Sequence, residues 1–217
     1  EKEAGVCLID IGGGTTDIAI FYENIIRHTA VIPLGGNIIT SDIKEGCMIL
    51  RRHAETLKVK YGSAFASENK EQEVVCIPGL RGQNSKEITL KSLSEIIQAR
   101  MEEIIDLVKF EIDNSGYKRK MIAGIVVTGG GAQMQHLTQL FEYCTGMDTR
   151  IGYPNEHLAG NSSEEISSPL YATAVGLVMN SIENKTQSAV RIDQAQAPEM
   201  PVYKAPVMET NEVVQAD

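Results

Sequence analysis

The chain has 217 residues, 42% of them hydrophobic, with 20 Lys+Arg against 29 Asp+Glu, a formal charge of −9 and a pI near 5.0. That length can bury the core of one α/β domain with a smaller inserted lobe, and the acidic balance argues against nucleic acid and against direct attraction to anionic lipid. No apolar run approaches membrane-spanning length, and the scattered Cys7, Cys47, Cys76 and Cys144 read as buried, reduced thiols and not as metal ligands.

In chain order, residues 5–33 predict three strands joined by hairpins, with Glu23-Asn24 as the second turn. The first turn is the run Asp10-Ile11-Gly12-Gly13-Gly14-Thr15-Thr16-Asp17. Glycines without a Cβ let backbone N–H groups approach a ligand closely, and a concave set of N–H groups is an anion site. The Thr15 and Thr16 hydroxyls can add donors. Asp10 and Asp17 would repel a bare phosphate, so the pattern points to a magnesium–nucleoside triphosphate. It is neither the dinucleotide fingerprint nor the Walker loop, since a hairpin and not a helix follows the glycines. A hairpin turn using glycine for geometry alone is the plain alternative.

Residues 36–50 and 52–61 follow with helical periodicity, then a polar loop over 62–73. Two short strands, 74–77 and 87–90, flank a turn with Pro78, Gly79 and Gly82. Ser92 and Glu95 read as a capping box that opens a long helix ended by Gly116, with Leu93, Ile97, Met101, Ile104, Val108 and Ile112 on one face. A buried strand over 124–128 leads into Gly129-Gly130-Gly131-Ala132-Gln133-Met134 and a helix carrying Leu137, Leu140, Phe141 and Cys144. A strand, glycines and a helix N-terminus let a ring or phosphate lie against the backbone. The last periodic helix covers 169–182. From 185 onward Pro198, Pro201 and Pro206 sit among Gln and Ala, a composition expected to give a disordered acidic linker over 185–217.

The two glycine runs resemble the second phosphate loop and the adenosine loop of the actin-like ATPase superfamily. The segments Ile32-Pro33-Leu34-Gly35-Gly36-Asn37-Ile38-Ile39-Thr40-Ser41-Asp42-Ile43, Ala54-Glu55-Thr56-Leu57-Lys58-Val59-Lys60-Tyr61-Gly62 and Pro169-Leu170-Tyr171-Ala172-Thr173-Ala174-Val175-Gly176-Leu177 resemble, within it, the FtsA family of bacterial cell-division proteins. The resemblance runs from about Gly5 to Asn184. It implies an α/β fold, the second, ribonuclease H-like half of an actin-like ATPase: a mixed sheet flanked by helices with a small inserted α+β subdomain. Residues 1–45 and 122–184 would form the larger subdomain and 46–121 the smaller. The first half of the ATP cleft and a membrane anchor are expected outside this chain.

For the site, the resemblance implies that Gly12, Gly13, Gly14, Thr15 and Thr16 hold the phosphates of ATP and that Asp10 orders Mg2+ through water. It also implies Glu55 and Lys58 on the ribose hydroxyls, Gly129, Gly130 and Gly131 beside the adenosine, and Met134 facing adenine. Taken alone, Glu55 and Lys58 are also a plain helix-surface ion pair, and Met134 a core residue. Implied partners are the C-terminal peptide of FtsZ, further copies in a filament, and the cytoplasmic face of the inner membrane at the division site, with hydrolysis slow at best. Arg100 and Lys109 are expected near the peptide site, since Arg suits a carboxylate. The alternatives within the superfamily are an MreB-type filament protein, a DnaK-type chaperone or a small-molecule kinase.

Overall fold

A computed structural model describes residues 1–70, 72–78, 85–155, 158 and 165–195, with 185–195 described by backbone alone. It divides into two compact units, Glu1–Leu177 and Val178–Asp217. In the second unit the described part is helix.

Strand β1 (Val6–Ile11) and strand β2 (Thr16–Tyr22) form an antiparallel hairpin with Ile11 opposite Thr16 and Asp10 opposite Asp17. Strand β3 (Ile25–Ile32) follows through Glu23 and Asn24, whose φ values of 55° and 61° are the left-handed pair that matches strand twist in a two-residue turn. Strand β6 (Ile125–Thr128) pairs parallel with β1, and β7 (Thr149–Ile151) parallel with β6, so the mixed sheet has the order β3-β2-β1-β6-β7. Successive side chains alternate faces. Cys7, Ile9 and Ile11 from β1, Ile18 and Ile20 from β2, and Ile125 and Val127 from β6 are all buried in one core. Burial pushes the Cys7 thiol up to about 12, so it stays protonated and inert. Cys76, read as buried from sequence, is exposed.

Helices α1 (Gly36–Gly46) and α2 (Arg51–Tyr61) pack on each other, and α1 also packs on α3 (Leu90–Ser115). The hairpin of β4 (Val74–Ile77) and β5 (Lys86–Thr89) is a separate two-stranded sheet whose Ile77 and Ile88 join the same core as the large sheet. Helix α3 contacts β5 as well as β2, β3 and α4 (Leu137–Thr145). Residues 46–121 therefore have a sheet of their own but share one hydrophobic core with the rest.

Three expectations change. The N-cap of α3 is Thr89 and not Ser92: Thr89 is extended, its hydroxyl accepts the Ser92 N–H at 3.1 Å, and the helix begins three residues earlier than a capping box at Ser92 requires. The second glycine run does not open a helix. A 3-10 turn over Gly130–Gln133 and extended Met134 intervene before α4, which is capped by left-handed His136. Finally, α5 (Ala172–Ala195) carries helix into residues 185–195, where a linker was expected. The turn with Gly79 and Gly82 and the residues 196–217 lie outside the described residues.

Candidate functional site

Glycines can serve the fold or a ligand, and the space around each distinguishes the two. A Cβ on Gly14 would meet nothing within 4 Å, and one on Gly13 would meet only the Asn37 side chain, at 3.5 Å. Neither has a positive φ. The fold does not require glycine at either place. Both residues and Thr15 are exposed, and among the described residues the N–H groups of all three make no hydrogen bond. Three consecutive amides without a protein partner, beside side-chain-free space, leave donors that an anion can reach.

The carbonyls of the same turn face inward. Gly12 O accepts the Gly36 N–H at 2.9 Å and Gly13 O accepts the Asn37 N–H at 2.7 Å. The first amides of α1, which have no partner inside the helix, are thus satisfied by the glycine turn. Gly35 makes this approach possible, since a Cβ there would lie 2.6 Å from Gly12 O. The turn is pinned by its carbonyls while its amides stay open.

The threonines differ from expectation. Thr16 is fully buried and its hydroxyl donates to Leu34 O at 2.9 Å, so it fastens β2 to the approach of α1 and has no proton for a phosphate. Thr15 is exposed, with its hydroxyl donating to Asp17 Oδ2 at 3.0 Å. What Thr15 leaves open is its backbone amide.

Helix α2 places Glu55 and Lys58 against α1. The three ammonium protons of Lys58 have three acceptors, Gly36 O, Thr40 Oγ1 and Glu55 Oε2, each at 2.9 Å. Lys58 clamps the helices and has no donor left for a ribose. Burial raises the Glu55 carboxyl, but hydrogen bonds from Thr40 and Lys58 and the charges of Lys58 and Arg51 outweigh it and hold it below its ordinary value. Glu55 Oε1 has no protein partner among the described residues, and the side chain is 48% exposed, so this oxygen is open to a hydroxyl. Buried Thr40, absent from the sequence reading, bridges Lys58 and Glu55 (hydroxyl to Glu55 Oε2, 2.5 Å). Its signal was a helical threonine four residues past Gly36, whose carbonyl it also approaches.

The second glycine run lies directly on the end of β1. A Cβ on Gly129, whose φ is +85°, would fall 2.2 Å from Asp10 Oδ1 and 2.7 Å from Ile11 O; one on Gly131 would fall 2.4 Å from the Ile11 side chain. These two glycines are demanded by packing. Gly130 is exposed, with a Leu170 methyl 3.1 Å from its Cβ position. Asp10 is half-buried and accepts the Thr173 hydroxyl at 2.8 Å. Met134 packs against the core. No group of three or more His, Cys, Asp or Glu suited to a metal occurs among the described residues. Asp10 and Asp17 are register partners across the hairpin, and like charges directly opposite repel.

Arg100 is not a free surface cation. It donates Nε–H to Asp42 Oδ2 at 2.6 Å and Nη2–H to Asp42 Oδ1 at 3.0 Å, and pairs with Glu103. The bidentate bond to Asp42 raises its pKa further and ties α3 to α1. Lys109 pairs with Asp106 at 3.3 Å. A groove of about 440 Å³, lined by Val6, Leu8, Phe21, Val126 and Tyr153 among others, lies on the sheet face opposite the core and does not reach the glycine turn.

The family model described as "Cell division protein FtsA" matches residues 7–176. The cell division protein FtsA of Pseudomonas aeruginosa is 37% identical over 209 residues, 96% of this chain and 50% of that protein. The chain thus spans about half the length of that relative. Among solved structures, MreB5 of Spiroplasma citri bound to ADP is similar with a TM-score of 0.65 at 22% identity, covering 85% of this chain and 56% of that one. The same protein bound to AMPPNP gives 0.66 at 24%, covering 86% and 56%. The mixed sheet with its flanking helices is the actin-like ATPase fold. With the FtsA model matching most of its length and a relative sharing more than a third of its residues, the chain belongs to the FtsA family of cell division proteins.

Proposed function

We propose that this chain supplies one wall of a Mg-ATP site, and that the whole protein uses the nucleotide as a conformational ligand while it holds FtsZ filaments to the inner membrane and associates with its own copies. The carrying observation is the run of three open amides at Gly13, Gly14 and Thr15, at glycines the fold does not need. In this reading those amides take the phosphates, Asp10 holds the magnesium through water, Glu55 Oε1 accepts a ribose hydroxyl, and Gly129–Met134 backs the adenosine. Bound magnesium supplies charge neutralisation between the phosphates and Asp10. MreB5, which shares the fold, is described with ADP and AMPPNP bound, which supports the choice of ligand.

A ligand that bridges two halves shifts their closure by its differential affinity, with no turnover required. The full-length protein should therefore bind Mg-ATP while hydrolysing it slowly in a coupled assay. Rapid turnover with a small-molecule acceptor would replace this reading with a kinase. For the partner, the FtsZ C-terminal peptide is assigned to the lobe of α2, α3 and the β4–β5 hairpin. Lys109→Glu should weaken a labelled peptide about tenfold by anisotropy, as expected for reversing an interface charge. Arg100→Glu should additionally lower the melting temperature, because it sets a carboxylate against Asp42 and Glu103. Equal peptide binding by wild type and Lys109→Glu places the site elsewhere.

A further inference from the structure

Helix α2 and the second glycine loop are remote in sequence, yet they meet at one junction. Gly62 ends α2 one turn beyond Lys58, and a Cβ there would lie 2.2 Å from Lys58 O, so the exit of the helix is fixed tightly. Gln135 directly follows Met134. The two segments are zipped in parallel: Ser63 is bridged to Gln135, the Ala64 N–H donates to Gln135 O at 2.9 Å, and the Gln135 N–H to Gly62 O at 3.3 Å.

At the centre is Ser63, fully buried. Its Oγ accepts from Asn69 Nδ2 at 3.0 Å and from the Phe65 N–H at 3.4 Å. With those lone pairs used, its own proton goes to the short contact, His136 Nδ1 at 2.9 Å, with Phe65 O at 3.3 Å the longer choice. Asn69 also reaches Ser94 Oγ at 2.9 Å, and Gln98 Oε1 accepts the Ala66 N–H at 2.8 Å, which anchors the loop to α3. His136 sits in the left-handed region with φ 57°, unusual for a residue with a full side chain. A buried polar cluster of this kind fixes one geometry only when every partner is in place.

We propose that Ser63 and His136 are positioning residues for the nucleotide: their hydrogen bond fixes the distance between Glu55 on α2 and the second glycine loop, and so tunes recognition of the adenosine part without touching the phosphates. This rests on the nucleotide reading above. The two glycine loops divide the labour. The amides of Gly13–Thr15 are placed by β1, β2 and α1, and among the described residues none of Gly12–Thr15 bonds to Ser63 or His136.

The test titrates full-length protein by calorimetry with Mg-ATP and, separately, with Mg-tripolyphosphate, which lacks the nucleoside. Ser63→Ala and His136→Ala should weaken Mg-ATP about tenfold and leave Mg-tripolyphosphate unchanged. His136→Asn should restore Mg-ATP to within about threefold of wild type, because Asn tolerates the left-handed conformation and places an acceptor oxygen where Nδ1 stood. A parallel loss of both ligands in Ser63→Ala would mark a general structural defect and overturn the proposal, as would wild-type affinity for Mg-ATP in that variant. If wild type binds neither ligand, the nucleotide reading itself falls and the positioning role with it.

Discussion

Gly13→Val should reduce Mg-ATP affinity of the full-length protein at least a hundredfold while leaving its melting temperature within about 2 °C of wild type. The fold has room for the change: the residue is exposed, its φ is not positive, and its Cβ position meets only Asn37 Nδ2 at 3.5 Å. A phosphate approaching the amides of Gly13, Gly14 and Thr15 has no such room. Hydrogen bonds to a charged group contribute about 1.5–3 kcal/mol each, and a hundredfold loss is about 2.7 kcal/mol. Displacing one such bond and crowding a second is enough. Calorimetric titration and a thermal melt of the same sample check both halves of the expectation. Binding that persists in Gly13→Val, or that vanishes only in step with unfolding, would make this turn a structural one.

Gly129→Val should do the reverse and damage the fold. Its Cβ would lie 2.2 Å from Asp10 Oδ1 and 2.7 Å from Ile11 O, and the backbone φ of +85° is strained for any side chain. The Asp10 side chain can turn away, but the Ile11 carbonyl at the end of β1 cannot, so relief requires moving β1 against β6. Overpacking costs about 1–3 kcal/mol and an outlying backbone conformation about 1–3 kcal/mol more. At roughly 2–4 °C per kcal/mol for a domain of this size, the melting temperature should drop on the order of 10 °C. Chemical denaturation of the purified variant gives the free energy directly, and a wild-type midpoint would contradict the geometry of the β1–glycine contact. The pair of variants separates a glycine kept for a ligand from one kept for packing, although both stand in three-glycine runs.

That separation was not legible in the sequence. Both runs follow a buried strand and both carry the same residue, and only the neighbours in space tell them apart. The strands and their order along the chain could be read because β1, β2 and β6 carry apolar runs punctuated by glycine or by Glu23-Asn24. The apolar stripe of α3 was legible for the same reason, since Leu93, Ile97, Met101, Ile104, Val108 and Ile112 are all buried. Its start was misplaced because Thr89 ends a strand and caps a helix at once. Long-range polar partners left no trace in local spacing. Arg100 finds Asp42 across 58 positions and Ser63 finds His136 across 73. Lys58 looked like a ribose ligand or a simple partner of Glu55, but the approach of α1 brings Gly36 O and Thr40 to it, so the clamp becomes visible only once the helices are packed.

The most direct measurement is an amide-resolved NMR titration of this 217-residue chain with Mg-ATP. With one wall of the site present, a dissociation constant of about 1 mM or weaker is expected, so 1 mM ligand stabilises by at most about 0.4 kcal/mol, and fast exchange lets the shifts be followed residue by residue. The N–H signals of Gly13, Gly14 and Thr15 should move most and saturate together. Those of Gly130 to Met134 should move less, and Mg-tripolyphosphate should reproduce the first set without the second. Shifts centred on the groove lined by Val6, Leu8 and Phe21, or no shifts at the glycine turn at millimolar ligand, would contradict the assignment of this turn as the phosphate site.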